Sequence, residues 1–286
     1  MSSHEAKQGT LTLVATPIGN LGDISARALE ALSAADFIAC EDTRVSLKLL
    51  THFGIKKPLV SYYEHNKEYS GRAIITRVLA GENCVLVSDA GNPCVSDPGA
   101  ELVASAREAG IAVSAVPGAS AVITAVALSG LPGRFCFEGF LSVNKRTRRS
   151  HLAELREETR TMVFYEAPHK LLRTLADFQE TFGDRKVVIC RELTKKFEEV
   201  IATTVSAAIE RYTQAAPKGE FVLVVSGKPS EKAGADDSDP AAALLEAAAL
   251  AKRLISEGTA PAAAAKEAAK RFQADRQAVY RQITGK

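Results

Sequence analysis

From Thr10 to Ser226 the chain alternates short β-rich runs with stretches of helical periodicity, and this alternation limits its fold more than any other feature. The first runs are Leu11 to Ala15, Asp36 to Cys40, Pro58 to Ser61, Cys84 to Ser88, Ala112 to Val116 and Phe135 to Phe137. Helical patterns lie between them at Ser25 to Ala34, Arg44 to Phe53, Ser70 to Leu79, Ala100 to Ala109 and Ser120 to Leu128. Strands spaced by helices predict a largely parallel sheet covered on both faces, which sets a first α/β domain at residues 1–138. The alternation resumes with helices near Arg148 to Glu158, Lys170 to Thr181 and Val205 to Ala215. With them come strands at Thr161 to Tyr165, Lys186 to Arg191, Glu198 to Thr204 and Glu220 to Ser226, giving a second α/β domain at residues 139–229.

The stretch Ser230 to Pro240, SEKAGADDSDP, has no large apolar residue and is rich in acids and small residues, as a solvated linker is. Residues 241–286 are Ala-rich and carry eight basic against four acidic residues. Their periodicity predicts helices at Pro240 to Ser256, Pro261 to Phe272 and Asp275 to Ile283, with Thr259 and Asp275 as N-caps of the last two. Two short helices joined by a tight turn fit a helix-turn-helix; a helical tail that docks on the body or on a second copy fits the same pattern.

A chain of 286 residues with 46% hydrophobic and 24% charged composition can bury the cores of two such domains. No run approaches the roughly 18 apolar residues of a membrane span, and the first residues, MSSHEAKQG, lack the pattern of a signal peptide, so a cytoplasmic protein is expected. Five cysteines, odd in number and without a CxxC pair, suggest neither a disulfide framework nor a zinc site. A net charge of +2 is too small to imply a nucleic-acid partner by itself, because only clustered charge builds a strong local field.

Ligands of doubly wound sheets sit beyond the carboxyl ends of the strands, which directs attention to the loops there. Three are rich in Pro and Gly. ATPIGNLGDIS (Ala15 to Ser25) is neither GxGxxG nor a Walker loop, and Asp23 or Ser25 can cap the helix after it. SDAGNPCVSDPG (Ser88 to Gly99) holds two Asp, two Pro and two Gly, with Ser96 or Asp97 placed to cap the following helix. VPGASA (Val116 to Ala121) turns directly into a helix of small residues. Each alone reads as turn chemistry, whereas three at ligand-facing positions read as a binding cleft.

Taken with CEDTR (Cys40 to Arg44), FYEAPHKL (Phe164 to Leu171), CRELTKKFEE and GEFVLVVSG, these loops closely resemble the tetrapyrrole-methylase superfamily over about Leu11 to Gly227. The tail more loosely resembles the C-terminal helical domain of that superfamily's RNA-methylating branch. The resemblance implies a two-domain class III methyltransferase fold, a homodimer, and S-adenosylmethionine folded into a cleft between the α/β domains, with no metal. It places Pro17, Asp89, Ala90, Gly91, Pro93, Ser96, Asp97, Pro117, Gly118, Ala119 and Ser120 at the cofactor, with Tyr165, Glu166, Ala167 and Pro168 on the opposite wall. Carboxylates suit the ammonium and ribose hydroxyls of that cofactor, and free backbone groups suit its carboxylate and adenine edge.

The motif wording GNLGDI, EDTR and YEAPHK resembles the RNA-methylating branch, which implies 2′-oxygen methylation of a cytidine ribose in small-subunit (16S) ribosomal RNA near the decoding centre. The partner is then that RNA or the assembled small subunit. Candidates to take the hydroxyl proton or position the oxygen are Asp23, Glu41, Asp42, His65 and Glu166, with the base left unassigned. Asn20, Arg44 and Asn66 lie in the same motifs and are candidates to orient the nucleotide. Lys145, Arg146, Arg148 and Arg149 of KRTRR, with Arg134 nearby and Arg276 and Arg281 in the tail, are candidates to grip phosphates. A corrin-precursor methylase and a nucleotide-sensing regulator that catalyses nothing are the rival readings.

Overall fold

Five short strands, β1 (Thr10–Val14), β2 (Phe37–Cys40), β3 (Leu59–Ser61), β4 (Cys84–Val87) and β5 (Ala112–Val116), run parallel in the order β3-β2-β4-β1-β5. The computed structural model describes residues 8–229, 240–272 and 274–285. Successive side chains of a strand point to opposite faces, and both faces here are apolar. Phe37, Ala39 and Leu86 pack against helices α3 (Lys67–Leu79) and α4 (Ala100–Glu108). Ile38, Cys40, Val85 and Val87 pack on the other side, against α1 (Ala26–Ala34) and α2 (Thr43–His52). The parallel, doubly covered sheet expected from the alternation is therefore present. Of the two expected caps for α1, Ser25 holds the position, its Oγ accepting the Ala28 N–H at 3.1 Å.

The second sheet has the order β6-β7-β10-β8-β9, from β6 (Phe135–Phe140), β7 (Thr161–Glu166), β8 (Lys186–Arg191), β9 (Glu199–Thr204) and β10 (Phe221–Val225). β6 and β7 are parallel and joined across helix α6 (Lys145–Glu154); all other pairs are antiparallel. One face, through Met162, Phe164, Ile189 and Leu223, packs on α6, α7 (Leu171–Phe182) and α8 (Val205–Gln214). The other, through Val163, Cys190, Val222 and Val224, packs on Val122 and Ala125 of α5 (Ala121–Ser129). Helix α5 follows β5 of the first sheet yet lies on the second, so it joins the two.

A boundary after residue 138 cuts β6, whose ladder partners are all in β7. The run Phe135–Phe137 therefore belongs to the second sheet, and the passage between sheets falls in residues 117–134. Strand propensity marks such a run but not its partner. The described residues up to Gly227 form one compact unit, which holds both sheets, and those from Lys228 onward a second.

The second unit contains α9 (Pro240–Ser256), α10 (Pro261–Phe272) and α11 (Arg276–Thr284). Its core is built from Ala247, Ala251, Ala264, Ala265, Ala268 and Val279, small residues that let helix backbones approach closely. Asp275 caps α11, accepting the Ala278 N–H at 2.7 Å. Thr259 does not cap α10: that helix starts at Pro261, which puts Ala260 at the cap. Residues 230–239 of the expected linker lie outside the described residues. No helix among the described residues is long and apolar enough to cross a membrane.

Candidate functional site

The strand order brings the unusual loops together. β1 lies between β4 and β5, with β2 on the far side of β4, so the loops leaving β2, β4, β1 and β5 emerge side by side at one edge. Two backbone hydrogen bonds sew the first Gly-rich loop to the second: Thr16 N–H donates to the Gly91 carbonyl at 2.8 Å, and Gly91 N–H to that of Thr16 at 3.0 Å. Asn92 Nδ2 donates to the Ala119 carbonyl at 3.0 Å, tying the second loop to the third.

Between these loops and the second sheet lies a cavity of about 500 Å³. Of the expected cofactor residues, Asp89, Ala90, Gly91, Ser96, Asp97, Ser120, Tyr165, Glu166, Ala167 and Pro168 line it, as does Glu41 of the proton-accepting candidates. Pro93 is buried, Pro17 lines a neighbouring cavity, and Pro117 and Gly118 are exposed without lining either. Gly118 has a packing role: a Cβ there would stand 2.9 Å from the Ala15 Cβ, so only glycine lets the β5 loop lie this close to the end of β1. Gly139, at φ 64°, serves likewise, bringing β6 up to Ser96, whose Oγ would be 3.3 Å from an added Cβ.

The second loop departs from expectation in how it turns. Helix α4 begins at Ala100 with Gly99 in the cap position and no side-chain cap, so Ser96 and Asp97 are not spent on the helix and face the cavity instead. Cys94 and Ser96 sit at φ 67° and 68°, a left-handed conformation that side chains rarely adopt and that functional loops store.

Ile18, Phe140, Leu193, Cys190 and Val222 also line the cavity and were not anticipated. Tyr165, Val222 and Cys190 are register neighbours on β7, β10 and β8, so they form one row across the sheet, and this row is the cavity floor. Their sequence runs read as ordinary core strand, and only the pairing register shows that they share a row. Tyr165 is fixed by Phe137 and Phe140, ring centroids 4.9 and 5.4 Å away.

The electrostatics favour a cation. Burial raises the carboxyl of Glu41 above its ordinary value, and the negative charges of Asp97, Asp89 and Asp42 push the same way. Asp97 is raised by burial, partly offset by the Ser88 hydroxyl. Asp89 is raised by burial, partly offset by the Asp42 backbone N–H that it accepts at 3.1 Å. Three carboxylates that disfavour one another's ionisation around one cavity are relieved by a bound positive charge.

Several expected roles require correction. The Arg44 guanidinium holds Asp42 down at about 2, and the carboxylate also accepts the Arg44 N–H as cap of α2, which makes it a poor base. Glu166 is 3% exposed, and its two oxygens accept the Ala167 N–H at 2.8 Å and the Thr174 hydroxyl, so it braces the wall. Asn66 accepts the Tyr63 N–H at 2.7 Å and donates to the Ser61 carbonyl at 3.1 Å, closing its own loop. Asn20 similarly accepts the Gly22 N–H. Asp23 is exposed in that same loop, and His65 is exposed against Tyr63; neither lines the cavity.

The KRTRR run divides. Arg148 is 3% exposed: Nε pairs with Asp177 at 2.6 Å, and Nη1 donates to the Ser142 and Val143 carbonyls. It locks α6 to α7 and cannot hold a phosphate. Arg149 pairs with Glu180 on the surface. Lys145, Arg146 and Arg134 are exposed, as are Arg276 and Arg281 on α11, and none has an ion pair among the described residues.

The family model for tetrapyrrole (corrin/porphyrin) methylases matches residues 10–209. A protein named ribosomal RNA small subunit methyltransferase I from Xylella fastidiosa is 46% identical, over 95% of this chain and 98% of its own. One of the same name from Bacillus subtilis is 43% identical, over 98% of this chain and 94% of its own. Among solved structures, a diphthine synthase superposes with a TM-score of 0.61 at 19% identity, over 76% of this chain and 90% of that one, a likeness of fold. The chain belongs to the tetrapyrrole (corrin/porphyrin) methylase family, and these curated relatives carry the name ribosomal RNA small subunit methyltransferase I.

Proposed function

We propose that this chain uses S-adenosylmethionine to methylate the 2′-oxygen of a cytidine ribose in small-subunit ribosomal RNA, near the decoding centre, as a cytoplasmic homodimer. The observation that carries the reading is the cavity with Glu41, Asp89 and Asp97 on one side and the Tyr165–Val222–Cys190 floor on the other. When bound, the donor supplies a methyl group on a sulfonium that leaves as a neutral thioether, while the acceptor hydroxyl gives up a proton. The residues suit it: the carboxylates attract its positive charges, the apolar floor takes its flat base, and the left-handed turns at Cys94 and Ser96 leave backbone groups free to bind it. Holding acceptor and donor in line supplies most of the rate, since the sulfonium needs no further activation. Among the five candidates for the proton, Glu41 lines the cavity without being consumed by a structural bond, and its raised carboxyl is the better proton acceptor.

Exposed Lys145, Arg146 and Arg134 provide cations for the RNA backbone. A homodimer accords with α5, which is apolar nearly all round yet leaves Ile123 and Leu128 exposed, a surface that a second copy would cover.

The test incubates the purified chain with radiolabelled donor and small subunits from cells lacking the activity. Label in the RNA, with one phosphodiester becoming resistant to alkali, supports 2′-oxygen methylation. Label passing only to a corrin precursor, or duplex DNA binding without any transfer, overturns it.

A further inference from the structure

The Thr16–Gly91 bridge separates two cavities. Gly91 lines the larger; Thr16 lines a second, of about 300 Å³, between the first Gly-rich loop and α2. Asp89 lines both. The second cavity has apolar sides, Pro17 and Leu21 on the loop and Val45 on the helix, with Lys48 one helical turn beyond Val45. At its wall lies Ser46, a residue 3% exposed, whose hydroxyl is turned toward the Cys40 thiol.

We propose that this second cavity seats the acceptor nucleoside, a deepening that rests on the proposed function. Its volume is at the small end for ligand sites, as suits one nucleoside whose phosphates stay outside. The base lies between Leu21 and Val45, and the Lys48 ammonium meets a flanking phosphate. Asp89, shared with the donor cavity, then accepts a ribose hydroxyl at the boundary, which brings that hydroxyl to the donor's side and to the carboxylate cluster.

The experiment fills the cavity from its rim. Val45 and Leu21 are 38% and 40% exposed, so Val45→Trp and Leu21→Trp intrude from opposite sides without disturbing the core, and a folding defect in one leaves the other to decide. Calorimetry with S-adenosylmethionine and label transfer into small subunits are measured for each. We expect unchanged donor affinity and a kcat/KM lower by about tenfold or more, because misplacement of the acceptor by an ångström is enough. Lys48→Ala should raise KM more than it lowers kcat and flatten the salt dependence of subunit binding. Tryptophan variants that transfer label at the wild-type rate, or that lose donor affinity in parallel, overturn the assignment. A wild-type chain that labels no RNA overturns the proposed function and this inference with it.

Discussion

Replacing Arg148 by alanine should destabilise the fold rather than weaken RNA binding. The change leaves Asp177, whose side chain is only 13% exposed, facing a void where the guanidinium was. It also strips the Ser142 and Val143 carbonyls of a donor, just before α6 begins. Breaking a buried ion pair by removing one partner costs about 3–5 kcal/mol, most of it the uncompensated charge left behind. In a cooperative unit of this size each kcal/mol lowers the midpoint by about 2–4 °C, so Tm should fall by about 6–20 °C. Arg146→Ala, on the exposed side of the same helix, should stay within about 0.5 kcal/mol of wild type. Thermal unfolding followed by circular dichroism reads both. The decisive comparison is Arg148→Met combined with Asp177→Leu, which removes both charges and keeps the volume; it should recover much of the loss. If Arg148→Ala melts with Arg146→Ala, or the paired replacement melts no higher than the single one, Arg148 is not the lock described here.

Two further outcomes follow from the cavity and its loops. Donor affinity should fall on acidification, and the fall should begin above the ordinary carboxylate range of about 4, because Glu41, Asp89 and Asp97 are raised and a protonated carboxyl no longer attracts a cation. Calorimetric titrations at several pH values test this, and Asp89→Asn should weaken binding at neutral pH and reduce the pH dependence; an affinity flat through the acidic range would refute it. Gly118→Ala should destabilise by about 1–3 kcal/mol, since the new Cβ meets the Ala15 Cβ at 2.9 Å and the loop has to shift. An unchanged Tm together with unchanged donor affinity would refute that packing role.

Alternation of strands and helices was readable because each element is short, apolar along one or both faces, and closed by a recognisable cap or turn. The loops around the cavity were readable for a related reason: Pro, Gly and Asp concentrated after a strand have few other uses. What escaped was set by pairing between distant segments. Nothing in the run Phe135–Phe137 tells which sheet it joins, and Val222 looks like any core valine until its register beside Tyr165 and Cys190 is known. Arg148 escaped differently. KRTRR presents as uniform positive charge, yet Arg148 and Leu152 stand four residues apart on one face of α6, the face that packs on α7, while Lys145, Arg146 and Arg149 point outward. That spacing was a signal in the sequence, outweighed by the density of charge.

The floor row Tyr165–Val222–Cys190 also bears on how such a cavity can change. Its backbone is held by hydrogen bonds to neighbouring strands, while its side chains alone face the space above. Exchanging the middle residue, Val222, for a smaller or larger one would deepen or raise the floor without moving any loop. The same fold can therefore be refitted to a differently shaped occupant through single side chains on a fixed platform, with the carboxylates opposite left in place.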